Sequence, residues 1–324
     1  MPGQGDITES FGLEQLRQSL GGAMDVTLRS QGGLGQMLLQ RPFVLHSRHT
    51  ARVLVLTPDG CPAAVLICSP ALQPDHVERA VARTRQAKEV LGPELGKPVL
   101  QPLTAGRHEG LSYALWPYRF PLSDRRGLWR LQRYWLRPHL FRWLRQTTRR
   151  TLQTPSSSGM ENDFAVPFQA LVDGREVNAR IREQAKEVLE RLRAGTWKPV
   201  HVFEHNDLWK GNILLNAPMP RCLLSRPADG LFSIIDWRGA KANGHGFYDL
   251  VRLAQSLQAS RGQLADEVEA HGRILGCSLA DVRGHLLASL GHLRLNLEGF
   301  PVERFMALAA SCGRTLDLVL EETD

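Results

Sequence analysis

Two short apolar runs separated by a polar loop of fixed length constrain this chain more than any other feature. Val202-Phe203-Glu204 leads into His205-Asn206-Asp207-Leu208-Trp209-Lys210-Gly211-Asn212, and Ile213-Leu214-Leu215 follows. Short apolar runs bounded by turn-forming residues read as strands. After a Pro-rich excursion, Phe232-Ser233-Ile234-Ile235 ends in Asp236-Trp237. Asn212 and Asp236 therefore stand at strand edges, with Asp207 on the loop before them. Strand edges hold polar side chains at fixed distances, which metal-assisted chemistry requires.

A carboxylate, an amide five residues on, and a later carboxylate suit phosphoryl transfer from a nucleotide. Mg²⁺ takes hard oxygen ligands and usually draws only one or two of them from protein. Asn212 and Asp236 would supply these, while Asp207 would accept the proton of the attacking hydroxyl. The alternative is a pair of ordinary buried strands joined by a polar turn.

The block His205-Asn206-Asp207-Leu208-x-x-Gly211-Asn212-Ile213-Leu214, followed by Ile235-Asp236-Trp237, resembles the aminoglycoside phosphotransferase and choline kinase superfamily. The match covers residues 202–252. It implies an α+β, bilobal protein-kinase-like fold with a small β-rich N-lobe and a larger, mainly helical C-lobe. The chain then divides into an N-terminal extension (1–40), a nucleotide-binding lobe (41–118) and a catalytic lobe (119–324). The resemblance implies ATP and Mg²⁺ as cofactors. It makes His205 and Asp249 braces of the catalytic loop. Lys210 stands where these kinases often carry a small residue, and it either reaches the γ-phosphate or is a solvent-facing loop lysine.

The N-terminal third is less regular. Phe11, Leu13, Leu16 and Leu20 predict a helix ending at Gly21-Gly22. Gly32-Gly33-Leu34-Gly35 is read as a loop, because the third glycine of a dinucleotide fingerprint is missing. Strands are predicted over 43–46, 52–57 and 63–68, the last two joined by the turn Pro58-Asp59-Gly60. The loop Ser47-Arg48-His49-Thr50 either covers the nucleotide or is a plain hairpin turn. The third strand reads Ala63-Ala64-Val65-Leu66-Ile67-Cys68 and lacks the lysine that the family places there. Arg48 and Arg52 are the nearest replacements. A helix over 75–91 carries Glu78, either the usual lysine partner or, favoured here, half of a capping box with Asp75. Strands at 99–103 and 111–116 close the lobe. Trp116-Pro117-Tyr118 would be the hinge, and adenine should stack there as the family implies.

From Arg125 to Arg150 there are nine arginines and no acid, within a chain of net charge +7. Such a balance suits anionic ligands. Apolar residues return at helical spacing over 126–145, with Pro138 expected to split the segment into two helices. Arginine beside Trp, Leu and Phe fits a helix packed on the large lobe or an interfacial helix in peripheral contact with a membrane. No stacking fold or binding motif accompanies the charge, so nucleic acid is not the expected partner. Residues 154–159 read as a flexible link, 177–194 as a helix, 238–246 as a Gly-rich loop and 247–254 as the start of a helix. Two or three more helices follow.

Cys61, Cys68, Cys222, Cys277 and Cys312 are scattered, odd in number and without C-x-x-C pairing. That pattern predicts reduced thiols in a cytoplasmic setting, peripheral to the inner face of a membrane if the arginine helix touches lipid. The N-terminus lacks the pattern of a secretory signal, and no apolar run approaches the roughly 20 residues that span a bilayer. The functional expectation is an ATP-dependent kinase phosphorylating a hydroxyl of a small molecule, a sugar or a membrane-associated glycolipid such as lipopolysaccharide core. The alternative, prompted by the absent lysine, is a weak or inactive pseudokinase that binds a nucleotide or a partner.

Overall fold

The computed structural model describes residues 17–18, 20–22, 24–42, 49–219, 230–297 and 300–320. The chain forms two compact units. The first comprises residues 1–86, 97–120 and 214–238, and the second 87–96, 121–213 and 239–324. The α+β expectation holds, with an antiparallel sheet in the first unit and mainly helices in the second.

A five-stranded sheet lies in the first unit: β1 (Met37–Arg41), β2 (Ala51–Leu56), β3 (Pro62–Cys68), β4 (Thr104–His108) and β5 (Leu111–Pro117). They are ordered β1-β2-β3-β5-β4, with every neighbouring pair antiparallel. Period-2 alternation divides the side chains between two faces. Val53, Val55, Ala64, Leu66 and Leu115 pack with Leu20, Met24 and Leu28. Ala114, with Ile67 and Trp116, packs against Val77 and Val81 of helix α1 (His76–Leu95). Gly60, at φ 78°, closes the β2–β3 turn and donates its N–H to the Thr57 carbonyl at 2.9 Å.

Several sequence expectations change here. The strand predicted at 43–46 lies outside the described residues. β1 forms earlier, over a stretch with no strand signal. Gly21 and Gly22 do not end their helix, which continues over 24–28. Gly32 ends the helical segment instead, in a left-handed conformation with φ 101°. The Gly33 N–H then returns to the Leu28 carbonyl at 3.0 Å, so this glycine loop caps a helix. The strand expected at 99–103 is shifted to β4, and Val99 makes only an isolated bridge to Ile234. No capping box joins Asp75 and Glu78. The buried serines Ser69 and Ser112 take the N–H groups of Val77 and Glu78 at 2.9 and 3.1 Å. The carboxylates of Asp75 and Glu78 turn outward to Arg107.

In the second unit, α2 (Arg126–Thr151) is a single helix with Pro138 inside it. Pro138 sits on the exposed side. The carbonyl freed by its missing N–H, at Tyr134, is therefore open to water, and the helix need not break. The expected link at 154–159 contains one helical turn, Ser157–Met160, because the Ser156 hydroxyl caps the Gly159 N–H. Then follow α3 (Val166–Asp173), α4 (Ala179–Arg193), α5 (Tyr248–Ser256), α6 (Arg261–Leu275), α7 (Leu279–Leu295) and α8 (Val302–Leu320). The predicted loop over 238–246 holds a strand, Lys241–Gly244, paired antiparallel with the strand Val202–Glu204.

The core around Phe164 is unusual in being aromatic and rich in histidine. Phe164 stacks on His201 with centroids 5.1 Å apart and meets Trp197, His245 and His285 edge-on. His285 is wholly buried, and burial pushes its imidazole down to about 3. Cys61, Cys68, Cys277 and Cys312 are free thiols. No described helix is long and apolar enough to cross a membrane.

Candidate active site

The loop that carries Asp207 and Asn212 grows out of a buried strand. Glu204, which ends that strand, is buried beside His245 and Ser289. It accepts the Ser289 hydroxyl at 2.9 Å and the His245 N–H at 3.2 Å. Burial works to raise this carboxyl, but His245 and Ser289 outweigh it and hold it below the usual carboxylate range. Gly244 is required on the paired strand, since a Cβ there would lie 2.2 Å from that of Glu204.

Beyond Glu204 the backbone turns sharply, with Asn206 left-handed at φ 65°. An asparagine tolerates this conformation better than most residues. Here its side chain also donates to the Gly239 carbonyl at 2.8 Å. Asp249, near the start of α5, gathers the loop's amides. It accepts N–H bonds from His205 at 2.5 Å, Leu208 at 3.3 Å and Asn206 at 3.4 Å. Burial, helped by the Glu204 charge, raises the Asp249 carboxyl, while these three N–H groups pull it back. The His205 ring is buried, and its Nδ1 accepts the Asp207 N–H at 3.3 Å.

Asp207 and Asn212 meet directly. Asn212 Nδ2 donates to the Asp207 carboxylate and to the Asp207 carbonyl, both at 2.8 Å. Both bonds use the amide nitrogen, which leaves Oδ1 as the group's remaining acceptor. Lys210 follows a different course. Its Nζ lies 5.3 Å from the centroid of the Trp129 ring and 3.7 Å from Asp124. Gly211 lies against the Trp209 indole, where a Cβ would be 2.5 Å from a ring carbon.

Asp236 belongs to the first unit and is also left-handed, at φ 63°. It follows the strand Phe232–Ile234, and the buried Trp237 indole donates back to the Ile234 carbonyl at 2.9 Å. Arg238 clasps both carboxylate oxygens of Asp236, at 2.7 and 3.1 Å, and its Nη1 lies 2.9 Å from His76 Nε2. Burial lowers the His76 imidazole, Arg238 and Arg79 lower it further, and Asp236 opposes them. Arg52 stands opposite Ile67 in the β2–β3 register. Its guanidinium is lowered by burial and by Arg41 and raised by the field of Asp236. β3 carries no cation, in line with the sequence.

Of the residues predicted for the nucleotide, Ser47 and Arg48 lie outside the described residues. Thr50 is half-buried just before β2. Trp116 is half-buried and pairs with Val65. The Tyr118 N–H binds the Ala63 carbonyl at 2.9 Å, and its ring meets Phe120 edge-on at 5.3 Å. Sequence reasoning missed the Arg238 clasp and its His76 partner. An arginine two residues after the aspartate was the available signal for the first. Nothing in the sequence pointed to the second, 162 positions away.

No protein-family model matches the sequence, and no curated protein matches it. In structure the chain is similar to a choline/ethanolamine kinase family protein from Mesorhizobium loti. That match has 13% identity, covers 86% of this chain and 87% of that one, and has a TM-score of 0.42. The chain is also similar to an aminoglycoside-3'-phosphotransferase of type VIII, with 16% identity, 91% and 98% of the two chains covered, and a TM-score of 0.39.

Proposed function

We propose that this chain is an ATP- and Mg²⁺-dependent phosphotransferase that phosphorylates a hydroxyl group, as in the aminoglycoside phosphotransferase and choline kinase superfamily. The observation that carries the reading is the Asp207–Asn212 pair, braced from behind by Asp249 through three backbone amides. A loop so tied holds one carboxylate in a set orientation. A loose phosphoryl-transfer transition state asks for such orientation more than for a strong base. In this reading Asp207 accepts the acceptor's proton and Lys210 lies at the loop's edge. Ser47, Arg48, Thr50, Trp116 and Tyr118 attend the nucleotide.

The donor set suits Mg²⁺ in chemistry, being one amide oxygen and one carboxylate. Asn212 would offer Oδ1. Asp236 would offer a carboxylate oxygen once the Arg238 clasp swings aside, and the Arg238 side chain is 50% exposed. Mg²⁺ usually draws most of its ligands from phosphate and water, so two protein donors suffice. When bound, Mg²⁺ would offset charge on the transferring phosphoryl group.

For the acceptor, a sugar hydroxyl on a membrane-associated glycolipid such as lipopolysaccharide core suits the arginine-rich α2 better than a cationic acceptor does. The second reading is a weak or inactive pseudokinase. It is favoured by the absent β3 lysine and by the clasp on Asp236. Thermal unfolding with and without Mg²⁺-ATP, followed by ATP consumption over a panel of hydroxyl acceptors, separates the two. The kinase reading expects nucleotide to raise the melting temperature. It also expects Asp207→Asn to cut turnover by about 10²- to 10⁴-fold with nucleotide binding retained. Nucleotide binding with no turnover on any acceptor supports the pseudokinase. No nucleotide binding at all overturns the kinase reading.

A further inference from the structure

The long helix α2 has two faces of different character. Trp129, Leu136, Leu140, Phe141 and Leu144 are buried. Elsewhere on its first turns Arg130, Leu131, Arg133, Tyr134 and Arg137 line an open groove of about 520 Å³. Arg130, Tyr134 and Arg137 recur at helical spacing and so share one side of the helix. Tyr134 is 74% exposed and Leu131 47%, so two large apolar bodies stand in solvent among guanidinium groups.

Among the described residues no carboxylate pairs with Arg130, Arg133 or Arg137. Arg133 and Arg137 donate to neutral oxygens of Gln258. Burial and the proximity of Arg133 lower the Arg137 guanidinium, a mark of like charges held together. Cations alone would suit any polyanion. Apolar side chains interleaved with them suit an amphiphilic surface, where rings and aliphatic chains enter the headgroup boundary and long basic side chains reach phosphate.

We propose that this face of α2 docks the protein on an anionic lipid bilayer. Leu131 and Tyr134 enter the headgroup–acyl boundary, and Arg130, Arg133 and Arg137 meet lipid phosphates. The proposal extends the reading of a membrane-associated acceptor to the surface that meets the membrane. It stands apart from the catalytic assignment, because bilayer binding and nucleotide binding fail separately.

The test is co-sedimentation of the full chain with vesicles of phosphatidylcholine alone and of phosphatidylcholine mixed with phosphatidylglycerol. Binding is expected only with the anionic lipid and should weaken as salt rises. Replacing Arg130, Arg133 and Arg137 together by Gln should weaken it about 100-fold, from the usual effect of each basic residue at such a surface. Arg142→Gln, Arg149→Gln and Arg150→Gln together make the same charge change elsewhere on α2 and should weaken it far less. Leu131→Ser with Tyr134→Ser should weaken binding at constant charge. An unchanged melting temperature in each variant reports an intact fold. Three results overturn the proposal: no binding to anionic vesicles, equal losses in the two arginine triples, or no effect of the Leu131/Tyr134 pair. The last of these, with tight binding to a short DNA duplex, would mark a general polyanion site instead.

Discussion

His285 should make this protein lose stability in acid relative to a variant that lacks the imidazole, and His285→Phe isolates the effect. His285 ionises near its ordinary 6.5 when unfolded and only at about 3 when folded, because burial penalises its charged form. Between those values the unfolded chain binds one proton that the folded chain does not. The contribution of His285 to stability is therefore full above pH 6.5 and is lost as pH falls toward 3. Each pH unit within that window costs about 1.4 kcal/mol. From pH 7.5 to pH 5 the loss from His285 alone is about 2 kcal/mol. His271, pushed down to about 4 by burial, adds a similar loss over the same interval. Phenylalanine keeps an aromatic ring against Phe164 and Trp197 and removes the titration. The assay is urea unfolding followed by tryptophan fluorescence at pH 7.5 and pH 5 for both proteins. The variant's stability at pH 7.5 absorbs any packing change, so only the difference between the two pH values is read. Wild type should lose about 2 kcal/mol more than His285→Phe. Asp249 titrates in both proteins and cancels. Equal losses would refute the reasoning, because they would mean that His285 gains no excess proton on unfolding.

Two further outcomes follow from close packing and capping, and one from the site. Gly291→Ala places a Cβ 2.2 Å from the Pro167 carbonyl oxygen, where α7 crosses the start of α3. Chemical denaturation should show a loss of about 1–3 kcal/mol or more, since backbone cannot move aside as a side chain can. Ser112→Ala removes the hydroxyl that accepts the Glu78 N–H and donates to the Pro74 carbonyl, and it should cost about 1–3 kcal/mol by the same measurement. Asp249→Asn leaves one strong acceptor where three loop amides converge. Amide hydrogen exchange at His205, Asn206 and Leu208 should rise, with the exchange of α7 unchanged.

The sheet of the first unit was legible because its strands are short, β-rich in composition and separated by a strong turn at Pro58-Asp59-Gly60. β2 and β3 fall within a residue of where alternation places them. β1 and β4 were not legible, since Met37–Arg41 and Thr104–His108 carry little alternation and owe their structure to neighbouring strands. Pro138 misled because helix breaking depends on whether the freed carbonyl is buried, and periodicity does not report that. The capping box misled for a similar reason. Asp75 and Glu78 have the spacing, but Ser69 and Ser112 reach the same N–H groups from the sheet.

At the candidate site the sequence by itself determined the chemical inventory: Asp207, Asn212, Asp236, and no cation on β3. Residue types and short spacings carry that information, because a short loop between two strand edges has few conformations. Tertiary structure alone decided how those groups are held. The left-handed backbone at Asn206 and Asp236, the gathering of three amides by Asp249, and the Arg238 clasp with His76 join residues that are distant in sequence or set torsions that no spacing encodes. The reason is physical: pairwise contacts across tens or hundreds of residues follow from how the core packs, and packing is a property of the whole fold.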